Sequence, residues 1–148
     1  TDTQVSLEAD NFIIISKLID GTFPDYERVI PKTNTKVMEV KTKDFASSID
    51  RVATISSDKS KAVKFAIENN SLILTVTNPD AGVAIEKLEV SYESDDLEVG
   101  FNARYLLDIS SQIEGDKMIF TLEDPGAPAL IKDSAHEDAT YVLMPMRV

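Results

Sequence analysis

Apolar and polar residues alternate with a period of two along most of this chain. Val5, Leu7 and Ala9 open the pattern, and Met38 and Val40 resume it. Val63, Phe65 and Ile67 follow, then Leu72, Leu74 and Val76, then Leu88, Val90 and Tyr92, and last Met118, Phe120 and Leu122. Successive side chains on a strand point to opposite faces, so this period predicts half-buried antiparallel strands. Asn69-Asn70 sits between two of them, and asparagine tolerates the positive φ that a two-residue hairpin needs. Further turns are predicted at Asn78-Pro79, Ser94 to Asp96, Gly115-Asp116 and Asp124 to Gly126.

Two stretches carry helical spacing instead. Phe45, Ile49, Val52 and Ala53 form one apolar stripe, with Thr42 placed as N-cap and Asp44 in the first turn, where the helix dipole favours negative charge. Tyr105, Ile109 and Ile113 repeat at four-residue steps, with Asn102 as the N-cap candidate. Each helix directly follows a strand, Met38-Glu39-Val40 in one case and Leu97-Glu98-Val99 in the other, about 60 residues on. The expected fold class is α+β: antiparallel sheets with two helices in an internally duplicated unit of strand, helix and strands.

Residues 1–31 stand outside the repeat. Two strand-like runs, Gln4 to Ala9 and Phe12 to Leu18, precede an irregular connector, Gly21-Thr22-Phe23-Pro24-Asp25-Tyr26. Two strands alone are marginal in water, so residues 1–31 read as the end of a preceding domain and 32–148 as the next one, with the boundary near Ile30 to Asn34. The chain opens on Thr1 and not methionine, which fits a fragment of a longer protein. At its other end Thr140 to Val148 reads TYVLMPMRV. Pro145 has no N–H for a ladder, so pairing should stop near Met144 and leave Met146 and Val148 as a hooked tail. Methionine suits an adaptable apolar surface; a final core strand with a frayed end is the plainer alternative.

The 148 residues allow one ordinary domain, or one with part of another, and 43% apolar content is enough for a core. No run nears the roughly 18 apolar residues of a membrane span, and no basic-then-apolar leader is present, so a soluble cytoplasmic protein with no membrane partner is expected. Zero cysteine excludes a disulfide scaffold, a thiolate zinc site and a cysteine nucleophile. His136, the one histidine, sits in the polar run Asp133 to Asp138 and reads as a solvated loop residue. A single imidazole without a thiol makes a poor metal site, and Asp95-Asp96 and Glu137-Asp138 read better as turn or loop residues than as ligands of a hard cation. There is no glycine-rich phosphate loop and no serine elbow. Catalytic residues, metal and cofactor are all expected to be none.

A net charge of −11 argues against a nucleic-acid partner at first sight, but the total hides a segregation. Residues 32–64 carry eight basic side chains (Lys32, Lys36, Lys41, Lys43, Arg51, Lys59, Lys61, Lys64) against four acidic ones, whereas from Phe65 onward five basic stand against sixteen acidic. Opposite the stripe of Phe45 and Ile49 lie Lys43, Ser47 and Arg51 at i, i+4 and i+8, a polar line able to touch phosphates. It holds no cluster suited to base edges, so binding to double-stranded DNA should be weak, salt-sensitive and sequence-independent.

Three segments, LIDGTFPDYERVIPK (Leu18 to Lys32), VGFNARYLLD (Val99 to Asp108) and YVLMPMRV (Tyr141 to Val148), resemble the bacterial replicative sliding clamps, the beta subunits of DNA polymerase III. The resemblance covers essentially the whole chain, as the end of the middle clamp domain plus the complete third domain. It implies a processivity factor that encircles duplex DNA as a homodimeric ring. Replicative polymerase, clamp loader and repair factors would be tethered by short linear motifs held in a hydrophobic pocket. Carried over position by position, that pocket would take Pro24, Arg28 and Val29 from the connector, Asn102 and Tyr105 from the start of the second helix, and Val142, Leu143, Met144, Pro145, Met146 and Arg147 from the tail. Asn102 and Arg28 would hydrogen-bond the peptide. Lys43 and Arg51 would face DNA, and Thr54 and Ile55 would meet the other protomer. Ser60, Gly126 and Pro128 fall where the family varies and would shape the outer wall. An independent peptide-binding adaptor without a DNA role is the alternative, and a hydrolase built on scattered carboxylates a more distant one.

Overall fold

The computed structural model describes residues 3–22, 25–56, 61–136 and 138–148; Pro24, Lys59, Ser60 and Glu137 lie outside the described residues. The chain starts with a two-stranded antiparallel pair, β1 (Gln4–Ala9) and β2 (Phe12–Lys17), followed by a short 3-10 helix, Tyr26–Arg28. Next, β3 (Lys36–Lys41) runs straight into α1 (Thr42–Ala53), and β4 (Ala62–Glu68), β5 (Ser71–Asn78) and β6 (Gly82–Glu89) follow. After a short β7 (Ser91–Tyr92) the order repeats as β8 (Leu97–Asn102), α2 (Ala103–Ser110), β9 (Lys117–Leu122), β10 (Ala129–Asp133) and β11 (Thr140–Leu143). The helices begin at Thr42 and Ala103, 61 positions apart, so the expected internal duplication is present.

The two halves are interlocked. One sheet has the order β11-β10-β9-β3-β7 and the other β6-β5-β4-β8. Each lead strand therefore pairs with the opposite half: β3 lies along β9, with Met38 opposite Phe120, and β8 along β4, with Gly100 opposite Lys64. The edges finish alike. β7 flanks β3 with Ser91 opposite Glu39, and the tail flanks β8 through a single antiparallel bridge, Gly100 to Met146. Phe65 of β4 and Phe120 of β9 hold matching places in the two halves, with ring centroids 6.4 Å apart. Phe45 of α1 packs on both, at 5.9 and 5.4 Å, and Phe101 of β8 meets Phe65 edge-on at 5.2 Å. All four rings are fully buried, and such tilted contacts suit the charge distribution of aromatic faces and edges. No helix among the described residues is long and apolar enough to cross a membrane.

Four local expectations need correction. Every residue of β1 and β2 is exposed, so the half-buried reading fails there; no described element covers either face. Thr42 is the first residue of α1 and not its cap. Its hydroxyl donates to the Gly115 carbonyl at 3.0 Å and its amide to that of Asp116 at 2.9 Å, so the incoming loop claims the groups a cap would use. Leu88, Val90 and Tyr92 are not one strand: the chain changes sheets at Val90. Asn70 manages the crossing, accepting from the Val90 amide through its carbonyl and from the Tyr92 amide through its side chain. Its own positive φ of 56° closes the β4–β5 hairpin as anticipated. Finally, α2 turns Ala103, Leu106 and Ser110 fully to the core, with Ile109 only partly buried against it and Tyr105 exposed, and the helix ends before the buried Ile113. Buried Ser110 satisfies its hydroxyl by donating to the Leu106 carbonyl at 2.7 Å, so a polar letter hid the true core face.

Candidate peptide groove and charged helix face

The tail begins where β11 stops pairing with β10 at Leu143, opposite Ala129. Pro145 cannot donate to a ladder, and the chain leaves the sheet there. It then rejoins the fold on the other sheet: the Met146 amide donates to the Gly100 carbonyl on the free edge of β8 at 2.8 Å. Gly100 makes this approach possible. A Cβ there would stand 2.4 Å from Val148 Cγ1 and 2.6 Å from the Met146 carbonyl oxygen. The sequence reading did not single it out, although a lone glycine inside an apolar strand signals a close backbone approach.

Two open grooves flank Met144, which is 59% exposed. One, of about 540 Å³, runs between Tyr105 and Ile109 of α2 and the segment Thr140 to Met144. The other, of about 520 Å³, runs between Met144 to Val148 and the Pro125-Gly126 turn, with Val99 and Gly100 at its base. Asp124 shapes that turn by accepting from the Gly126 and Ala127 amides. Tyr105, 56% exposed, faces the first groove with Val142, Leu143 and Met144. Pro145, Met146 and Arg147 line the second. The residues carried over for one pocket thus divide between two grooves with Met144 as their shared wall. Ile109 and Tyr141 are additions that the sequence reading did not name as site residues.

Of the remaining pocket candidates among the described residues, Asn102, Arg28 and Val29 line neither groove. Asn102 caps α2, its side-chain oxygen accepting from the Arg104 amide at 2.9 Å. Arg28 pairs with Asp25 at 2.9 Å within the 3-10 turn, and Val29 is exposed beside it. Pro128 offers its carbonyl to the Asn34 side chain at 2.9 Å.

Lys43, Ser47 and Arg51 are exposed on α1, as the spacing required. Lys43 shares a cleft of about 720 Å³ with Lys41 and Lys117, where the start of α1 meets the α2–β9 loop. Lys117 is paired with Glu39 at 2.9 Å. Arg51 is held by Glu86 of β6 at 2.7 Å. At the end of α1 the Thr54 hydroxyl donates to the Asp50 carbonyl at 3.1 Å, and the Ile55 carbonyl accepts from Asn78 at 2.7 Å. Asp133 braces the loop behind the Lys43 cleft. Its buried carboxyl accepts from the amides of Ala135, Glu114 and Gly115, and these bonds, Ala135 first, hold it below its ordinary range against the opposing effect of burial. His136 is exposed, its Nε2 3.4 Å from Glu114. Among the described residues no three His, Cys, Asp or Glu side chains are grouped to hold a metal ion.

An interlocked pair of strand-helix-strands units, with an apolar groove at the tail and a partly basic helix face, defines a domain of the clamp fold. The sequence model described as DNA polymerase III beta subunit, C-terminal domain, matches residues 27–147, and the chain belongs to that family. It is 47% identical over 152 residues to the beta sliding clamp of Caulobacter vibrioides, across 99% of this chain and 41% of that protein. Against the beta sliding clamp of Escherichia coli K12 the identity is 37% over 138 residues, 93% of this chain and 38% of the relative. Among solved structures, the sliding clamp of Bartonella birtlesii bound to griselimycin superposes with a TM-score of 0.95 at 49% identity, covering 100% of this chain and 40% of that one. The clamp from Caulobacter crescentus gives a TM-score of 0.94 at 46% identity over the same shares. The chain therefore spans about two fifths of the length of its relatives.

Proposed function

We propose that this chain is the part of a replicative sliding clamp that carries the partner-binding groove, with residues 1–31 as the end of the middle domain and connector and 32–148 as the third domain. In that role it is a mechanical, non-catalytic component of the cytoplasm. The full-length protein would close as a homodimeric ring around duplex DNA, touch phosphates weakly through Lys43 and Arg51, and meet its second copy near Thr54 and Ile55. Polymerase, clamp loader and repair factors would compete for the groove with short apolar motifs.

The observation that carries this reading is Met144, an exposed flexible side chain standing between two grooves, with Tyr105 as an aromatic wall on one side. A thioether that can swing toward either groove suits several apolar ligands, and an exposed tyrosine supplies contact area with a polar tip. The test is an NMR titration of the full-length protein with a Gln-Leu-Ser-Leu-Phe peptide and its scrambled control. Saturable shifts at Tyr105, Met144 and Met146 with the first peptide alone are expected. Equal or absent responses to both peptides refute the groove's role.

A further inference from the structure

We infer that Gly100 is a positioning residue of the peptide groove: by letting the tail dock on the edge of β8, it sets the separation between Met144 to Arg147 and the Pro125-Gly126 turn. The inference rests on the peptide-binding role proposed above. The tail is held there by one ladder position, the 2.8 Å bond from the Met146 amide to the Gly100 carbonyl. On either side of that bond the side chains of Met144 and Val148 are largely open to solvent, 59% and 64% exposed. A side chain at position 100 would meet both Val148 and the Met146 carbonyl oxygen at distances real Cβ atoms do not adopt. The oxygen belongs to the backbone and cannot rotate aside, so the tail or the strand would have to move.

Two comparisons within the molecule show that the glycine serves the tail and not the strand. Gly100 is absent from the residues with positive φ, so β8 does not need its conformational freedom. The matching position in the first half is Glu39, opposite Ser91 of β7, and there a full side chain is accommodated and even paired with Lys117. The duplicated fold therefore tolerates a side chain at this point of its lead strand. Only the closer approach of the tail forbids it, and the same tail residues form one wall of the second groove.

The test measures affinity for a fluorescein-labelled Gln-Leu-Ser-Leu-Phe peptide together with hydrogen exchange of the Met146 amide, in the full-length protein. Gly100→Ala is compared with Gly82→Ala, which strains a φ of 98° where an added Cβ meets no atom within 4 Å. Both variants should lose stability. Only Gly100→Ala should bind the peptide about tenfold more weakly and exchange the Met146 amide about tenfold faster, because only it lifts the tail. Binding within about twofold of wild type, or a Met146 amide that stays protected, overturns the inference. Should Gly100→Ala not fold, Val148→Ala replaces it: about threefold weaker binding with faster Met146 exchange sustains the inference, and any other result overturns it. No binding by the wild-type protein would refute the peptide role itself, and this inference with it, before any variant is compared.

Discussion

Arg51 and Glu86 are joined by two parallel hydrogen bonds, Nε to Oε1 at 2.7 Å and Nη2 to Oε2 at 3.0 Å, which tie the last turn of α1 to the edge strand β6. Nη2 also donates to the Ser48 hydroxyl at 2.9 Å. The mutual hydrogen bond is the main reason that the Arg51 pKa is raised and the Glu86 pKa depressed. A carboxylate held this close offsets part of the field that the guanidinium presents to any other anion. Exposed pairs add little stability, so the chief consequence lies in the charge α1 can present.

Glu86→Gln should release that charge. In the full-length protein, affinity for a fluorescent duplex should rise, and the salt dependence of binding should steepen by about one counterion. Anisotropy titrations across a series of salt concentrations measure both. An unchanged slope would mean that Arg51 does not reach a phosphate.

Tyr105→Ala and Met144→Ala should each weaken binding of the Gln-Leu-Ser-Leu-Phe peptide by about 1–3 kcal/mol, the range for truncating a contact anchor. Isothermal calorimetry on the full-length protein reads this directly. Wild-type affinity in both variants would remove Met144 and Tyr105 from the site.

Asp133→Asn should destabilise the domain at neutral pH, because a carboxylate that accepts three backbone amides becomes an amide that presents donors to donors. The folded pKa lies below its ordinary value of 3.8, so the carboxylate's contribution is fully present above that value and fades as pH falls toward the folded pKa. Thermal melts of both proteins should therefore converge on acidification. A gap that stays constant from neutral pH down to the acid transition would contradict this.

Asn102→Ala should cost about 1 kcal/mol of stability through loss of the α2 cap. Because its oxygen is already committed to the Arg104 amide, peptide affinity should change less than about twofold. Urea unfolding and the peptide titration separate the two roles, and a large affinity loss would return Asn102 to the binding site.

Strands and helices were legible wherever packing obeyed a local period. Val63, Phe65 and Ile67, or Phe45 and Ile49, are buried as their spacing required. The misreadings arose where a distant partner overrode the local letter. Thr42 looks like a cap until a loop some seventy residues away takes its hydroxyl, as the separation of 73 positions between Thr42 and Gly115 records. On α2 the cause was local: the stripe through Tyr105 passed over polar Ser110, whose hydroxyl is satisfied four residues back in its own helix and so can face the core. The basic line on α1 was visible, but the pairing of its Arg51 end with Glu86 was not, since the two residues meet only after β6 has folded back along α1. For the groove, the tail motif and Tyr105 were readable, whereas the part played by Gly100 depends on a contact between two sheets.

The exchange of lead strands has a consequence for how this domain comes into being. With β3 sewn beside β9 and β8 beside β4, neither half can complete a sheet from its own residues. Folding must wait until the second half has been synthesised, and the many distant pairings make that step slow compared with a helical bundle. The same stitching should let the molecule survive injury. A cut in the Ser94 to Asp96 turn would leave two pieces, each holding a strand the other needs, that stay together as a non-covalent pair.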